Sequence, residues 1–374
     1  MNSFYKKYLL PGLVFQGIVI GGGYATGREL AEFFMPHGFL GGLLSMLVAA
    51  LVWCLVMAVS FEICRKTKEY DYKSFFKLLL GRYWFLYEIL YLFLILIVLS
   101  VIGAATGEIV QNIFAIPTTI GVVGLFIVTG IFTFYGSVVI ERFMGSWSIL
   151  LYTCFFLLVV LSFVYFGEDI KTNYEEAVIA SGWFTDGIRY AGYNVASVPA
   201  VFFSLHHITK RREAISAGII AGITAIIPAV FLFIAMMGQY PEINQAAVPS
   251  TVLLSSIGLP WFSILFQMVL LGTLVQTGVG LIHAINERIA VTLKSKNKKM
   301  PKLARPAIAI LILFIALLLA TKFGLIQLIA KGYGILTIGF IAVFVIPVLT
   351  IGPYKIIIQS RENNKKLIQT NENN

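Results

Sequence analysis

Two stretches of this chain bring glycine, tyrosine and single polar residues together inside otherwise apolar sequence. The first reads Gly21-Gly22-Gly23-Tyr24-Ala25-Thr26-Gly27-Arg28-Glu29. Glycine costs about 1 kcal/mol relative to alanine in a helix interior, so four in seven residues favour unwinding. Freed carbonyls can coordinate a cation. The N–H groups opening the next half-helix, near Thr26–Glu29, present a positive dipole to an anion. Together they suit a carboxylate beside Na⁺ or a proton relay. The second stretch reads Tyr190-Ala191-Gly192-Tyr193-Asn194-Val195-Ala196-Ser197-Val198-Pro199. Pro199 removes a backbone donor and clashes with the preceding turn. Asn194 and Ser197 can replace the lost bonds, and Tyr193 offers an aromatic wall with a hydroxyl. Gly21, Gly23, Tyr24, Ala25, Thr26, Gly27, Tyr193, Asn194 and Ser197 are the candidate substrate-binding residues.

Ionisable and hydroxyl residues within apolar segments are the second group of candidates. Arg28 and Glu29 open the half-helix, where they can gate a vestibule or pair with each other or with Glu32. Glu108 lies late in the third apolar segment, and an interfacial carboxylate is its plainer reading. Lys331 sits about two turns into the tenth segment; it can answer Glu108 or Glu29, or snorkel outward. Thr273, Gln276 and Thr277 lie mid-segment in the eighth. Thr273 and Thr277 are one turn apart on one face. Their hydroxyls can join first-helix carbonyls in an ion site, or simply bond back to their own helix.

The elements that must hold these groups follow from composition. Hydrophobic residues make up 59% of the 374 residues and charged residues 12%. A soluble domain carries roughly 25% charged residues, so lipid must be part of this chain's solvent. In hydrocarbon every backbone polar group needs an internal partner, and apolar runs of about 20 residues become spanning helices. Ten segments qualify: 9–35, 38–63, 84–113, 118–138, 143–167, 186–208, 214–238, 260–290, 304–322 and 324–352. The last two are divided only by a short polar break. The first is read as an uncleaved span rather than a signal peptide.

Charge orients the bundle. Under this count, 23 of the 28 basic residues fall in alternate connections and at both ends, leaving Arg28, Lys171, Arg189, Lys322 and Lys331 on the other side. The positive-inside rule then places both termini in the cytoplasm, in a multi-pass protein of a plasma membrane. The net charge of +10 is thus a topology signal that meets anionic headgroups; a nucleic-acid footprint would concentrate on one compact domain.

The interruptions near Gly23 and at Asn194–Pro199 recur after about 170 residues, five segments apart. An odd number of spans per half inverts the halves, and paired interrupted helices point to a transporter binding site. The expected organisation is an all-α membrane protein of five plus five helices with discontinuous first and sixth helices. Residues 1–170 form one repeat, 171–355 the inverted repeat, and 356–374 a polar, disordered tail.

Other chemistry finds little support. Gly21-x-Gly23 followed by Gly27 lacks the βαβ unit of a dinucleotide site. Gly23-x-x-x-Gly27 is also a membrane helix-packing pattern. Gly332-Tyr333-Gly334 sits in a long apolar helix rather than a potassium-filter loop. Cys54, Cys64 and Cys154 have no metal-ligand spacing. No catalytic or nucleotide motif is present, so the chain is read as a non-enzyme without cofactors, using Na⁺ or H⁺ for any coupling.

At Gly21–Glu29 the sequence resembles the YkvI-type membrane proteins, whose motif is Gly-Ala-Gly-Phe-Ala-Ser-Gly-Gln-Glu. Gly21, Gly23, Ala25, Gly27 and Glu29 match; Tyr24 and Thr26 are conservative; Gly22 replaces Ala and Arg28 replaces Gln. Arg28 puts a full charge at the mouth of the half-helix. The resemblance implies distant kinship with the amino acid–polyamine–organocation superfamily and the leucine-transporter fold. It also implies a solute bound between the first and sixth helices, flanked by the third and eighth, and alternating access. The expected function is ion-coupled secondary transport of a small polar or zwitterionic solute, an amino acid or relative. The alternative is a non-transporting membrane sensor or scaffold. Substrate, direction and oligomeric state are not specified by the sequence.

Overall fold

A computed structural model of the chain describes residues 3–133, 137–294, 296–298, 301, 303–323 and 325–357. Its helices, in chain order, are α1 (Leu10–Val19), α2 (Gly22–Ala25), α3 (Arg28–Phe33), α4 (Gly38–Thr67), α5 (Tyr72–Leu80), α6 (Phe85–Phe114) and α7 (Thr118–Phe132). There follow α8 (Ser137–Glu175), α9 (Trp183–Asn194), α10 (Arg211–Met236), α11 (Pro249–Ile257), α12 (Pro260–Lys294), α13 (Ala304–Lys322) and α14 (Leu325–Phe340). Among the described residues, seven stretches are long and apolar enough to cross a membrane, and α7 is a shorter apolar helix. The first and sixth expected segments are instead built from pieces, α1–α2–α3 and α9 with its extension.

Close backbone approach holds part of the bundle together. α4 and α10 pack so tightly that a Cβ on Gly222 would fall 2.7 Å from the Cys54 nitrogen, and one on Gly218 2.5 Å from the Ala58 Cα. Gly218 and Gly222 lie one turn apart on one face, the small-residue spacing that lets membrane helices touch. The opposite surfaces are apolar and open: Leu47, Leu51 and Leu55 on α4, Phe156 and Phe163 on α8, and Ile310 and Phe314 on α13 are all exposed. Such a belt has no stable place in water and matches a lipid solvent.

Several elements depart from the sequence reading. The sixth segment is not unwound. α9 ends at Asn194 and the chain continues as a 3₁₀ helix over Val195–His207, with Pro199 inside it. The tighter i→i+3 pattern carries the chain past the missing Pro199 donor without an extended gap. α8 outruns its expected 143–167 and bends at Phe166 (φ −132°, ψ 24°). It reaches Glu175, so position 171, expected to open the second repeat, falls within it.

Two further helices sit outside the expected spans. α5 is amphipathic: Phe75, Phe76 and Leu79 are buried, while Lys73 and Lys77 lie 5.2 and 5.9 Å from the Trp84 ring. Asp71 caps it, accepting from the Ser74 N–H at 3.0 Å. α11 follows an irregular loop after α10. The expected tail, from residue 358 on, lies outside the described residues.

Candidate functional site

The glycine cluster does break the first helix. Ile20 leaves helical geometry (φ −73°, ψ 71°), Gly21 is extended (φ −96°, ψ −161°), and Gly27 is left-handed (φ 83°). Only glycine takes that last conformation without strain. A Cβ at Gly27 would also meet the Met236 sulfur at 2.8 Å. Of the freed groups, the Thr26 carbonyl accepts from the Ser250 N–H on α11 at 2.9 Å. The Thr26 hydroxyl donates to the Gly23 carbonyl at 3.2 Å and accepts from the Arg28 N–H at 3.4 Å.

Glu29 is the centre of this region. It is 3% exposed and folds back over the break. A Cβ placed on Gly23 would sit 2.6 Å from its Cγ and 2.8 Å from its Cδ. Its Oε2 has no hydrogen-bond partner among the described residues. The phenols of Tyr190 and Tyr193 come up to the carboxylate without completing a hydrogen bond, and both hydroxyls are buried and unpartnered among the described residues.

Tyr190 and Tyr193, beside Glu29, belong to a box of packed rings. Tyr193 stacks on Tyr333 (4.3 Å between centroids, 12° between planes). Tyr190 meets Tyr193 edge-on at 5.6 Å, Phe34 at 4.7 Å and Trp53 at 5.7 Å. Phe33 covers both phenols, 5.7 Å from Tyr190 and 5.9 Å from Tyr193. Beyond Phe33 a cavity of about 420 Å³ is lined by Glu32, Asp186, Arg189, Gly334 and Thr337. Its rim is pinned by Asp186, which faces His37 at 3.0 Å and Arg189 at 3.1 Å.

The remaining expected residues separate into groups. Tyr24 turns its hydroxyl away, donating to the Ala225 carbonyl on α10 at 2.9 Å. Asn194 donates to the Tyr190 carbonyl at 3.0 Å, and Ser197 is buried on the 3₁₀ helix. The 3₁₀ start is tied to α6 by the Tyr87 hydroxyl, which donates to the Ala196 carbonyl at 2.8 Å. Arg28 does not pair with Glu29. It binds Glu32 at 3.0 Å and the carbonyls of Asn244 and Ala246 at 2.6 and 3.1 Å. It thereby clamps the loop after α10. Glu108 is half-buried near the end of α6. Lys331 is on α14, but its side chain lies outside the described residues.

A second polar node joins α1 to α12. The Thr277 hydroxyl lies 3.1 Å from the Gly17 carbonyl, 3.2 Å from the Ile20 carbonyl and 3.3 Å from the Thr273 carbonyl. Thr273 and Gln276 are both fully buried beside it. Gly21 packs on the same side chain: a Cβ there would lie 3.3 Å from the Thr277 methyl. Thr273 itself bonds back to the Val269 carbonyl at 2.9 Å.

Sequence reasoning missed Tyr190, Tyr333, Phe33 and Trp53. An aromatic residue in an apolar run reads as core, and here burial alone would not distinguish them. The signal lay in Tyr190 and Tyr193, three apart on one helix face, and in Tyr333, set between the glycines Gly332 and Gly334. Among the described residues, no group of three or more His, Cys, Asp or Glu is placed to hold a metal ion.

Comparison with known proteins locates this architecture. No family model matches the chain. It is 22% identical over 297 residues to the uncharacterized membrane protein YkvI of Bacillus subtilis, covering 76% of this chain and 82% of that one. A Na⁺-coupled sialic acid symporter in its substrate-bound, outward-open state is similar in structure, with TM-score 0.67, 13% identity, and 91% and 78% of the two chains covered. MhsT in complex with L-phenylalanine gives 0.63 at 16% identity, over 94% and 97%. A mutant of the Eremococcus coleocola manganese transporter gives 0.57 at 12% identity, over 92% and 78%. The chain thus shares the all-α, multi-helix membrane fold of these solved transporters.

Proposed function

We propose that this chain is an ion-coupled secondary transporter of a small polar or zwitterionic solute, working by alternating access. The observation that carries the reading is the break at Ile20–Gly27. It faces the tyrosines of the sixth segment inside a fold shared with transporters over 91% of the chain. Broken backbone at membrane depth survives only where protein or a cavity satisfies it, and such breaks mark midplane binding sites in transporters. The halves are read as five plus five, inverted. The basic end is read as cytoplasmic, with both termini there, in a plasma membrane.

Solute would bind between Gly21–Thr26 and Tyr193–Asn194, with Ser197 as a further candidate contact on the 3₁₀ helix. The cavity beyond Phe33 serves as the approach from the less basic side. Thr277, with the Gly17 and Ile20 carbonyls, is the candidate ion-coupling node: a Na⁺ can take the oxygens that the hydroxyl now bridges. The Na⁺-coupled symporter among the structural matches makes Na⁺ the first ion to test and H⁺ the second. Reconstitution into proteoliposomes, with imposed Na⁺ or pH gradients, tests the reading. Gradient-driven accumulation of a solute from an amino-acid and organic-cation panel is expected. If no solute of that panel moves and Gly23→Leu has no phenotype, the sensor or scaffold reading replaces it.

A further inference from the structure

Far from the break, at the basic end of the bundle, three cations converge on one indole. The Nζ atoms of Lys73 and Lys77 lie 5.2 and 5.9 Å from the centre of the Trp84 ring, and the Arg288 Cζ lies 5.7 Å from it. The lysines sit one turn apart on α5, Trp84 lies between α5 and α6, and Arg288 is near the end of α12. Like charges gathered this closely repel, and the ring face offsets only part of that. Glu88 pairs with Arg288 and accepts from the Tyr72 hydroxyl at 3.5 Å. Asp71 is turned to the α5 cap. Among the described residues neither lysine has an ion-pair partner, and the buried Arg288 Nε has no hydrogen-bond partner. The side chain of Glu287 lies outside the described residues.

The lysines are carried on a fastened helix. Phe76 stacks on Tyr87 of α6 (3.6 Å between centroids, 17° between planes), Phe75 meets Phe202 at 4.8 Å, and the Lys355 ammonium donates to the Leu78 carbonyl. The helix that bears them is thus in place before any anion arrives, which lowers the ordering cost of binding one. Directly after Trp84 the chain becomes apolar and open. Phe85, Leu86, Ile89, Leu92 and Phe93 on α6 are all exposed. Their helical spacing keeps them in one stripe, about 12 Å long at the rise of an α-helix. A soluble anion has no use for such a stripe, whereas an acyl chain fits it.

We propose that Lys73, Lys77 and Arg288 around Trp84 form a binding site for an anionic glycerophospholipid, with its phosphate among the three cations and an acyl chain along the α6 stripe. A phosphate offers several oxygens at once to ammonium and guanidinium donors, and basic pockets at the cytoplasmic ends of membrane helices take such headgroups. The site shares no residue with the break at Gly21–Gly27, so lipid binding and solute transport can fail independently.

Delipidated full-length protein in detergent is titrated with phosphatidylglycerol, with phosphatidylcholine of the same chains and with sn-glycerol 3-phosphate, and native mass spectrometry counts what is bound. Phosphatidylglycerol is expected to bind about 5-fold or more tightly than either of the others. Lys73→Gln/Lys77→Gln weakens it by about 10-fold or more. Lys73→Arg/Lys77→Arg, which keeps both charges, stays within about 3-fold of the wild type. Arg211→Gln/Arg212→Gln, at two exposed basic residues opening α10, changes binding by less than about 2-fold.

Size-exclusion profiles establish that each variant is folded. If the double glutamine variant does not fold, Lys77→Gln alone, at an exposed side chain, decides the matter with a loss of about 3-fold or more. Equal binding of phosphatidylcholine overturns the inference. So does wild-type affinity in the glutamine variants, an equal loss in the α10 variant, or no retained phosphatidylglycerol. Binding of sn-glycerol 3-phosphate as tight as that of the lipid also overturns it and leaves a site for a soluble phosphate.

Discussion

The carboxylate of Glu29 rests on the Cα of Gly23, six residues earlier in the same broken helix. A side chain at position 23 would begin 2.6 Å from the Glu29 Cγ, inside any real contact. Gly23 is therefore required by its neighbour as much as by the backbone. Gly23→Ala is expected to push Glu29 away from Tyr190 and Tyr193 and destabilise the fold by about 1–3 kcal/mol, the usual cost of overpacking. Solute affinity should fall more than stability does. Parallel thermal-unfolding and binding measurements check this; unchanged affinity would show that Glu29 is not positioned by Gly23.

Thr277 is the clearest test of ion coupling. Thr277→Val keeps the shape and removes the hydroxyl that bridges the Gly17 and Ile20 carbonyls. Loss of such bonds costs about 1 kcal/mol, so the fold should survive. The Na⁺ concentration for half-maximal uptake should rise by about 3- to 10-fold, with little change in solute affinity at saturating Na⁺. Uptake titrated against Na⁺ measures both, and a flat response excludes this node from coupling.

Arg28 should act on the loop after α10 rather than on the solute. It is 8% exposed and holds Glu32 and two loop carbonyls. Arg28→Ala strands those carbonyls and should destabilise the protein by about 2–4 kcal/mol. Amide exchange is expected to rise in residues 241–250. Hydrogen-exchange mass spectrometry reads this, and protection equal to the wild type would contradict the clamp.

How much of this is legible in the sequence depends on the kind of signal. Apolar length is set by hydrocarbon thickness, so most of the long helices appear in the sequence within a few residues of their ends; α8, which runs eight residues past its expected end to Glu175, is the exception. The Gly21–Gly27 break is legible because four glycines in seven residues favour unwinding, although Gly23-x-x-x-Gly27 by itself also fits close helix packing. The sixth segment is where local reading goes too far: Pro199 predicts a missing bond, but not that a 13-residue 3₁₀ helix absorbs it. The amphipathic α5 hides among the basic residues of a connection, since Lys73 and Lys77 read there only as charge. Glu32 is within reach of Arg28 by helical spacing alone. The carbonyl partners of Arg28 at Asn244 and Ala246 depend on a tertiary contact 216 and 218 residues away, which no local pattern encodes. Tyr190 and Tyr333 are hidden for a related reason: only folding brings Tyr190 to Glu29 and Tyr333 to Tyr193.

Orientation is open to direct labelling. In a background lacking Cys54, Cys64 and Cys154, cysteines introduced at Asn244 and Lys298 should label from opposite sides in intact cells, Asn244 from outside and Lys298 only after permeabilisation. The reverse pattern would invert the membrane orientation inferred from charge.

The central claim is that a solute crosses through the break between Gly21 and Gly27. Gradient-driven uptake in proteoliposomes, compared between the wild type and Gly23→Leu at matched reconstitution, tests it most directly. The account predicts accumulation by the wild type under a Na⁺ or proton gradient and its loss in a Gly23→Leu protein that still elutes as a folded species. Accumulation that is equal in both would contradict it.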